Sequence, residues 1–278
     1  MAVHDTPLGP IETRSWLHPD DANVTAPPAP TELLLMLHAA ASAPGAFDEL
    51  ARTLCAPGRL IVAPALNGYG LSSVMAPGDA VDRHVALAEW VFRTFECQRN
   101  FVFGHSMGGL CALELSARVD CDRIAVFEPI VMGCLDTTDE AQRQGLQWDR
   151  DAVDALRAHV EAGQPEPGLA AFIRAWNEVE WDAVPAPVRE ALLASATRLS
   201  EETTVVSYRD APESLGSLRM EILLLCGSRS PVVAGQIVRQ LQQRIRRASV
   251  QCIDNAGHMA PVLAPQRLEV PLSDWFCL

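Results

Sequence analysis

Six short apolar runs, each separated from the next by helix-like periodicity, constrain this chain more than any other feature. They occupy residues 33–37, 60–63, 101–103, 124–127, 222–226 and 250–253. Short, largely apolar runs of this length suit strands covered on both faces, as in a parallel sheet. Between them, apolar residues recur at helical spacing. Phe47, Leu50, Ala51 and Leu54 form one such set, and Val81, Val85, Ala88, Val91, Phe92 and Phe95 another. A third stretch covers residues 232–245. The alternation predicts an α/β class chain with a doubly wound, mostly parallel sheet. In such sheets ligands bind outside the carboxyl ends of the strands.

The rhythm breaks between residues 134 and 210. Three helices are expected there, over residues 151–162, 169–176 and 188–199, with Pro165, Pro167, Pro185 and Pro187 between them. The expected division is a core of residues 1–133 and 211–278 interrupted by a helical insertion, 134–210. Residues 1–30 are polar and Pro-rich, ending in Ala26-Pro27-Pro28-Ala29-Pro30, with edge strands expected around residues 11–17.

Charge and composition remove several function classes. The formal net charge is −13, so no basic face is expected for nucleic acid. The chain has no lysine: all 22 of its Lys/Arg positions are Arg, which excludes lysine Schiff bases and the P-loop lysine. None of the eight cysteines forms a CxxC pair, and neither Cys nor His clusters at ligand spacing, so no metal or cofactor is expected. No apolar run approaches the ~20 residues of a membrane helix. The opening residues, 1–5, resemble no export signal, and the expectation is a cytoplasmic chain without a membrane partner.

The densest chemical motif is Gly104-His105-Ser106-Met107-Gly108, placed after an apolar run and before a helical pattern over 110–117. A strand-to-helix turn of this kind lifts the Ser hydroxyl above the sheet edge, and a Cβ at Gly104 or Gly108 would meet neighbouring backbone. The helix start behind Ser106 offers free N–H groups to a developing oxyanion. Near the C-terminus, Asn255-Ala256-Gly257 leads from a strand into His258. An imidazole titrates at roughly 6.5, which suits proton transfer near neutrality.

With these motifs the chain resembles the α/β-hydrolase superfamily from about residue 31 onward. Residues 33–47 resemble its strand and oxyanion loop, with His38-Ala39-Ala40 in place of the usual His-Gly-x. Residues 67–72 resemble the glycine turn after the next strand, and Gly257-His258-Met259 the histidine loop. The resemblance implies a sheet of about eight strands with the insertion as a cap. It also implies Ser106 as nucleophile, His258 as base, and the N–H groups of Ala40 and Met107 as oxyanion donors. Ala at position 39 would be strained if that position requires positive φ. His38 is expected to order this loop and His105 to pack beside the nucleophile. The remaining histidines, His84 among them, read as surface or insertion residues.

The acid departs from the family pattern. The strand after the insertion is followed by Gly227-Ser228-Arg229-Ser230-Pro231, with Ser230 where the family places Asp. Glu128, after the strand at 124–127, is the expected substitute, held extended by Pro129. Asp136, Asp254 and a purely structural Glu128 stand beside it as alternatives. In the insertion, Trp148, Phe172, Trp176 and Trp181 are available to roof an apolar pocket. His38, Ala39, Trp176 and Trp181 are the expected substrate contacts. The expected activity is that of a serine hydrolase, carboxylesterase-like, on a small apolar ester, lactone or related carbonyl compound. C–C bond hydrolysis of a diketone uses the same residues. A non-hydrolytic lyase, cyclase or ligand receptor on this fold is the competing class.

Overall fold

The computed structural model describes residues 1–22, 29–177 and 179–277. Most of the Pro-rich stretch leading to Pro30 lies outside the described residues. The sheet has eight strands: β1 (Ala2–Thr6), β2 (Gly9–Trp16), β3 (Glu32–Leu37), β4 (Arg59–Pro64), β5 (Arg99–His105), β6 (Arg123–Phe127), β7 (Glu221–Gly227) and β8 (Ala248–Ile253). Their spatial order is β1-β2-β4-β3-β5-β6-β7-β8. β1 and β2 form an antiparallel hairpin that joins β4 antiparallel, and the remaining pairs are parallel. The six apolar runs are thus the parallel strands, and the polar N-terminus supplies the antiparallel edge.

Alternate residues of the central strands enter two cores. Leu33, Leu35, Leu37, Val102, Ile124, Val126, Ile222 and Leu224 pack on one face. Leu34, Met36, Phe101, Phe103, Ala125, Phe127, Leu223 and Leu225 pack on the other. Burial on both faces explains why these strands lack polar alternation. Each fully buried Leu or Phe contributes about 1.5–3 kcal/mol of apolar transfer.

The short helix α1 (Pro19–Ala22) precedes β3. The core helices are α2 (Asp48–Leu54), α3 (Ala80–Phe95) and α4 (Met107–Leu115). Asp79 caps α3 in a reciprocal box with Asp82. The insertion follows β6 as α5 (Glu140–Glu161), α6 (Pro165–Asn177), α7 (Ala186–Ala194) and α8 (Ala196–Tyr208). The core then closes with α9 (Val232–Arg244), α10 (Ala260–Leu263) and α11 (Gln266–Phe276). None of the described helices is long and apolar enough to cross a membrane.

The insertion departs from the sequence expectation at two points. α5 begins at Glu140, not 151, because Asp139 caps it by accepting the Gln142 N–H. The helix expected at 188–199 is two helices, broken at Ser195, whose hydroxyl donates to the Ala191 and Leu192 carbonyls. The chain leaves and re-enters the core at one point, where Gly133 and Asp210 form a single parallel bridge. Beside it, Arg209 pairs with Asp79, Asp82 and Glu114.

Candidate active site

Ser106 sits at the N-cap of α4 with φ 57° and ψ −121°, a backbone state that L-residues rarely adopt. Glycine makes the turn possible. A Cβ on Gly108 would lie 2.2 Å from the Leu37 carbonyl oxygen, and one on Gly104 would lie 2.4 Å from the Gly108 oxygen. The start of α4 therefore lies directly against the backbone that follows β3. The Ser106 N–H donates to Phe127 O at 3.0 Å, which ties the turn to the end of β6.

Three side chains from three strand ends meet at this edge. His258 Nε2 lies 3.1 Å from Ser106 Oγ, and His258 Nδ1 lies 2.7 Å from Glu128 Oε2. The other carboxylate oxygen, Oε1, accepts the Gly227 N–H at 2.6 Å. Ser106, Glu128 and His258 are all buried. A carboxylate can only accept, so Nδ1 carries the imidazole proton and Nε2 is free to accept from the Ser106 hydroxyl. A hydroxyl in this relay is poised for proton transfer to nitrogen and attack on an electrophilic carbon.

Glu128 has φ +47°, so Pro129 does not hold it extended as the sequence suggests. The Glu128 N–H still bonds Leu225 O at 2.9 Å, continuing the β6–β7 ladder. The left-handed turn comes directly after that bond, at the point where the side chain reaches Gly227 and His258. Asp136 and Asp254 are exposed, and neither meets His258. Ser230 Oγ is buried and unpartnered among the described residues. The His258 loop is stitched to the loop after β7: Arg229 N–H donates to Ala256 O, and Asn255 N–H to Ser228 Oγ.

His105 does more than pack. Its Nε2 donates to the His258 carbonyl at 2.8 Å, and burial keeps its pKa well below the ordinary value. A neutral ring therefore fixes the His258 backbone. His84, expected at the surface, is buried instead.

The loop after β3 is fixed by side chains. His38 Nδ1 donates to Ala39 O at 2.8 Å, and His38 Nε2 accepts the Leu66 N–H at 3.0 Å. Burial lowers the His38 pKa to about 4, so the ring is neutral near pH 7. Both nitrogens are occupied, so His38 has no polar atom left for a ligand, contrary to its expected substrate contact. Positive φ falls on Ala41, at 54°, and not on Ala39. Ala39 is buried. Among the described residues the N–H groups of Ala40 and Met107 donate to no protein acceptor.

The insertion covers this edge with Trp176, whose ring lies 4.9 Å from the His258 ring. Trp148 packs against Trp176 at 5.4 Å. Beneath them Asp149 is buried, accepts the Ser207 hydroxyl at 2.7 Å and faces Trp176. Burial raises its pKa to about 6. Trp181 is turned into the insertion, its indole N–H donating to Glu166 at 2.7 Å, and so departs from its expected place at the substrate. Asp149 carries no local sequence signal, because Ser207, its partner, lies far along the chain. Among the described residues no group of three or more His, Cys, Asp or Glu side chains converges to hold a metal.

Solved structures share this architecture at low identity. A hydrolase from Pseudomonas aeruginosa superposes with TM-score 0.71 at 17% identity, over 100% of this chain and 98% of that one. A lipase-esterase related protein from Clostridium acetobutylicum gives 0.70 at 11%, over 96% and 99%. A thermophilic esterase from Thermogutta terrifontis gives 0.67 at 15%, over 96% and 92%. No curated protein matches the chain in sequence. A sequence model of the alpha/beta hydrolase family matches residues 34–269, and the chain belongs to that family.

Proposed function

We propose that this hydrolase is a serine esterase, with Ser106 as nucleophile, His258 as base and Glu128 as the orienting acid. The reading rests on the continuous relay from Ser106 Oγ through His258 to Glu128 and the Gly227 N–H. Ser106 Oγ attacks the substrate carbonyl carbon as its proton passes to His258 Nε2. The Ala40 and Met107 N–H groups receive the oxyanion. The tetrahedral intermediate collapses, and Nε2 gives its proton to the departing alcohol. Water, deprotonated by the same nitrogen, then attacks the acyl-enzyme and releases the carboxylic acid and Ser106. Losing one oxyanion donor typically costs about 10²–10³ in rate.

The substrate class follows from the cover. Residues 134–210 act as a cap, whose Trp176 indole lies against the His258 ring and is backed by Trp148, favouring a small acyl group that is largely apolar. The structural likeness to a lipase-esterase related protein and to a thermophilic esterase agrees with ester cleavage. The eight cysteines are free, which suits a cytoplasmic enzyme.

The test is intact mass after treatment with an alkyl fluorophosphonate, followed by turnover of p-nitrophenyl esters of increasing acyl length. One phosphonyl adduct on the native chain, absent from Ser106→Ala, is the expected result. A folded native chain that takes no adduct and cleaves no ester would overturn the reading.

A further inference from the structure

We infer that Tyr69 and Glu202 are positioning residues for the oxyanion hole, which is completed when helix α8 docks. The inference deepens the esterase reading and rests on it. Two successive peptides of the loop after β3 are each held by a side chain. The Ala39 carbonyl and the Ala40 N–H belong to one planar peptide, so the bond from His38 Nδ1 to Ala39 O aims the Ala40 N–H the opposite way. The next peptide presents the Ala41 N–H, which donates to Tyr69 Oη at 2.8 Å. Ala41 itself is in the left-handed region, where alanine does not rest unless held.

Tyr69 is in turn held from the insertion. Its hydroxyl donates to Glu202 Oε2 at 2.5 Å, and Glu202 stands on α8 with 2% of its surface exposed. His84 Nδ1 accepts the Asn67 N–H at 3.1 Å, so its proton is on Nε2, 3.3 Å from Glu202 Oε1. Arg198, also on α8, covers the Tyr69 ring at 4.0 Å and donates to Gly68 O. The Tyr69 ring meets His38 edge-on at 4.9 Å. A buried carboxylate is a costly way to attach a helix, since an apolar residue would pack there without desolvating a charge. What the carboxylate adds is direction: it turns the Tyr69 lone pair toward the Ala41 N–H. The peptides on either side of Ala40 are then fixed, one from the core and one from α8.

The variants that test this are Tyr69→Phe and Glu202→Leu. They are assayed on p-nitrophenyl butyrate and against two inhibitors, an alkyl trifluoromethyl ketone and the matching secondary alcohol. The ketone adds to the serine and places an oxyanion in the hole, whereas the alcohol only fills the pocket. In both variants kcat should fall about 10- to 100-fold, as small misplacements do. Ketone affinity should fall in step, with KM and alcohol affinity within about threefold of native. Unchanged kcat and ketone affinity would overturn the inference, and so would equal loss of ketone and alcohol binding. If both variants fail to fold, the crystal structure of the native ketone adduct decides. Ala40 and Met107 N–H on the ketone oxygen, with Ala41 N–H still on Tyr69, supports the inference. An Ala41 N–H turned onto that oxygen overturns it. A native chain inert to both fluorophosphonate and ketone would refute the esterase reading instead.

Discussion

Glu128→Gln separates an orienting carboxylate from one that merely fills space. Glutamine has nearly the same shape but only one acceptor oxygen, and two N–H donors converge on the Glu128 side chain. Gly227 N–H at 2.6 Å belongs to the backbone and cannot change its role. The glutamine oxygen therefore faces Gly227, and its NH₂ faces His258 Nδ1. Nδ1 must then accept, the imidazole proton moves to Nε2, and the Ser106 hydroxyl at 3.1 Å meets a donor where it needs an acceptor. Restoring the working tautomer puts two donors face to face, at about 1–2 kcal/mol. The imidazolium also loses its counter-charge. With charge centres about 4 Å apart and an effective dielectric of about 20, that is about 4 kcal/mol. Together they amount to about 5–6 kcal/mol, a rate loss of about 10⁴. The assay is kcat/KM on p-nitrophenyl butyrate at about pH 8, with thermal unfolding to show the native fold. A folded variant that loses less than about tenfold would refute the reasoning.

Three further outcomes are expected. Ser106→Gly, which relieves a strained φ while abolishing turnover, should raise stability by about 1 kcal/mol, net of glycine's extra freedom when unfolded; a lower melting temperature would contradict it. His38 is lowered to about 4 in the folded chain and titrates near 6.5 when unfolded, so the unfolded state takes its proton first. Stability should therefore decline as pH falls from 6.5 to 4, by about 3 kcal/mol from His38 alone, with His105 acting in the same direction. Denaturant midpoints across that window read the slope. Asp149 has the opposite sign: its folded value, about 6, exceeds the unfolded 3.8, so its burial costs stability as pH rises through 6. Asp149→Asn should raise stability above about pH 7, by up to about 3 kcal/mol, and steepen the acid decline. An unchanged midpoint at high pH would count against this.

The sequence revealed what local pattern encodes. The central parallel strands were legible because burial on both faces removes polar residues from them, whereas the edge strand β8 is mostly exposed and carries Ser249 and Gln251. Ser106 was legible because a strained elbow leaves glycines around it, and His258 because it follows the β8 strand through a short Asn255-Ala256-Gly257 turn. Ser230 at the family's Asp position points to Glu128 as the acid, yet the left-handed φ of Glu128 has no local signal, because a proline after it argues for extension. The first turns of α5 were hidden by a polar stretch, Glu140 to Gln144, whose helical state follows from a cap and from packing by Leu146 and Asp149. The break at Ser195 has no glycine or proline to announce it. The join of Ala41, Tyr69 and Glu202 spans the chain from β3 to α8, and no local spacing can encode such a contact.

The single bridge between Gly133 and Asp210 also bears on how the chain folds. β6 and β7 are sheet neighbours, but the segment joining them is on the order of 90 residues long. If α5 to α8 assemble first and bring Gly133 to Asp210, the segment left open shrinks to on the order of 15 residues. Loop-closure entropy varies as the logarithm of length, so the sixfold shortening, roughly, lowers the cost of pairing β7 with β6 by about 1.5 kcal/mol. An excursion that looks like a burden on a nonlocal parallel sheet becomes, in that order of events, a splint that holds two distant strands within reach of each other.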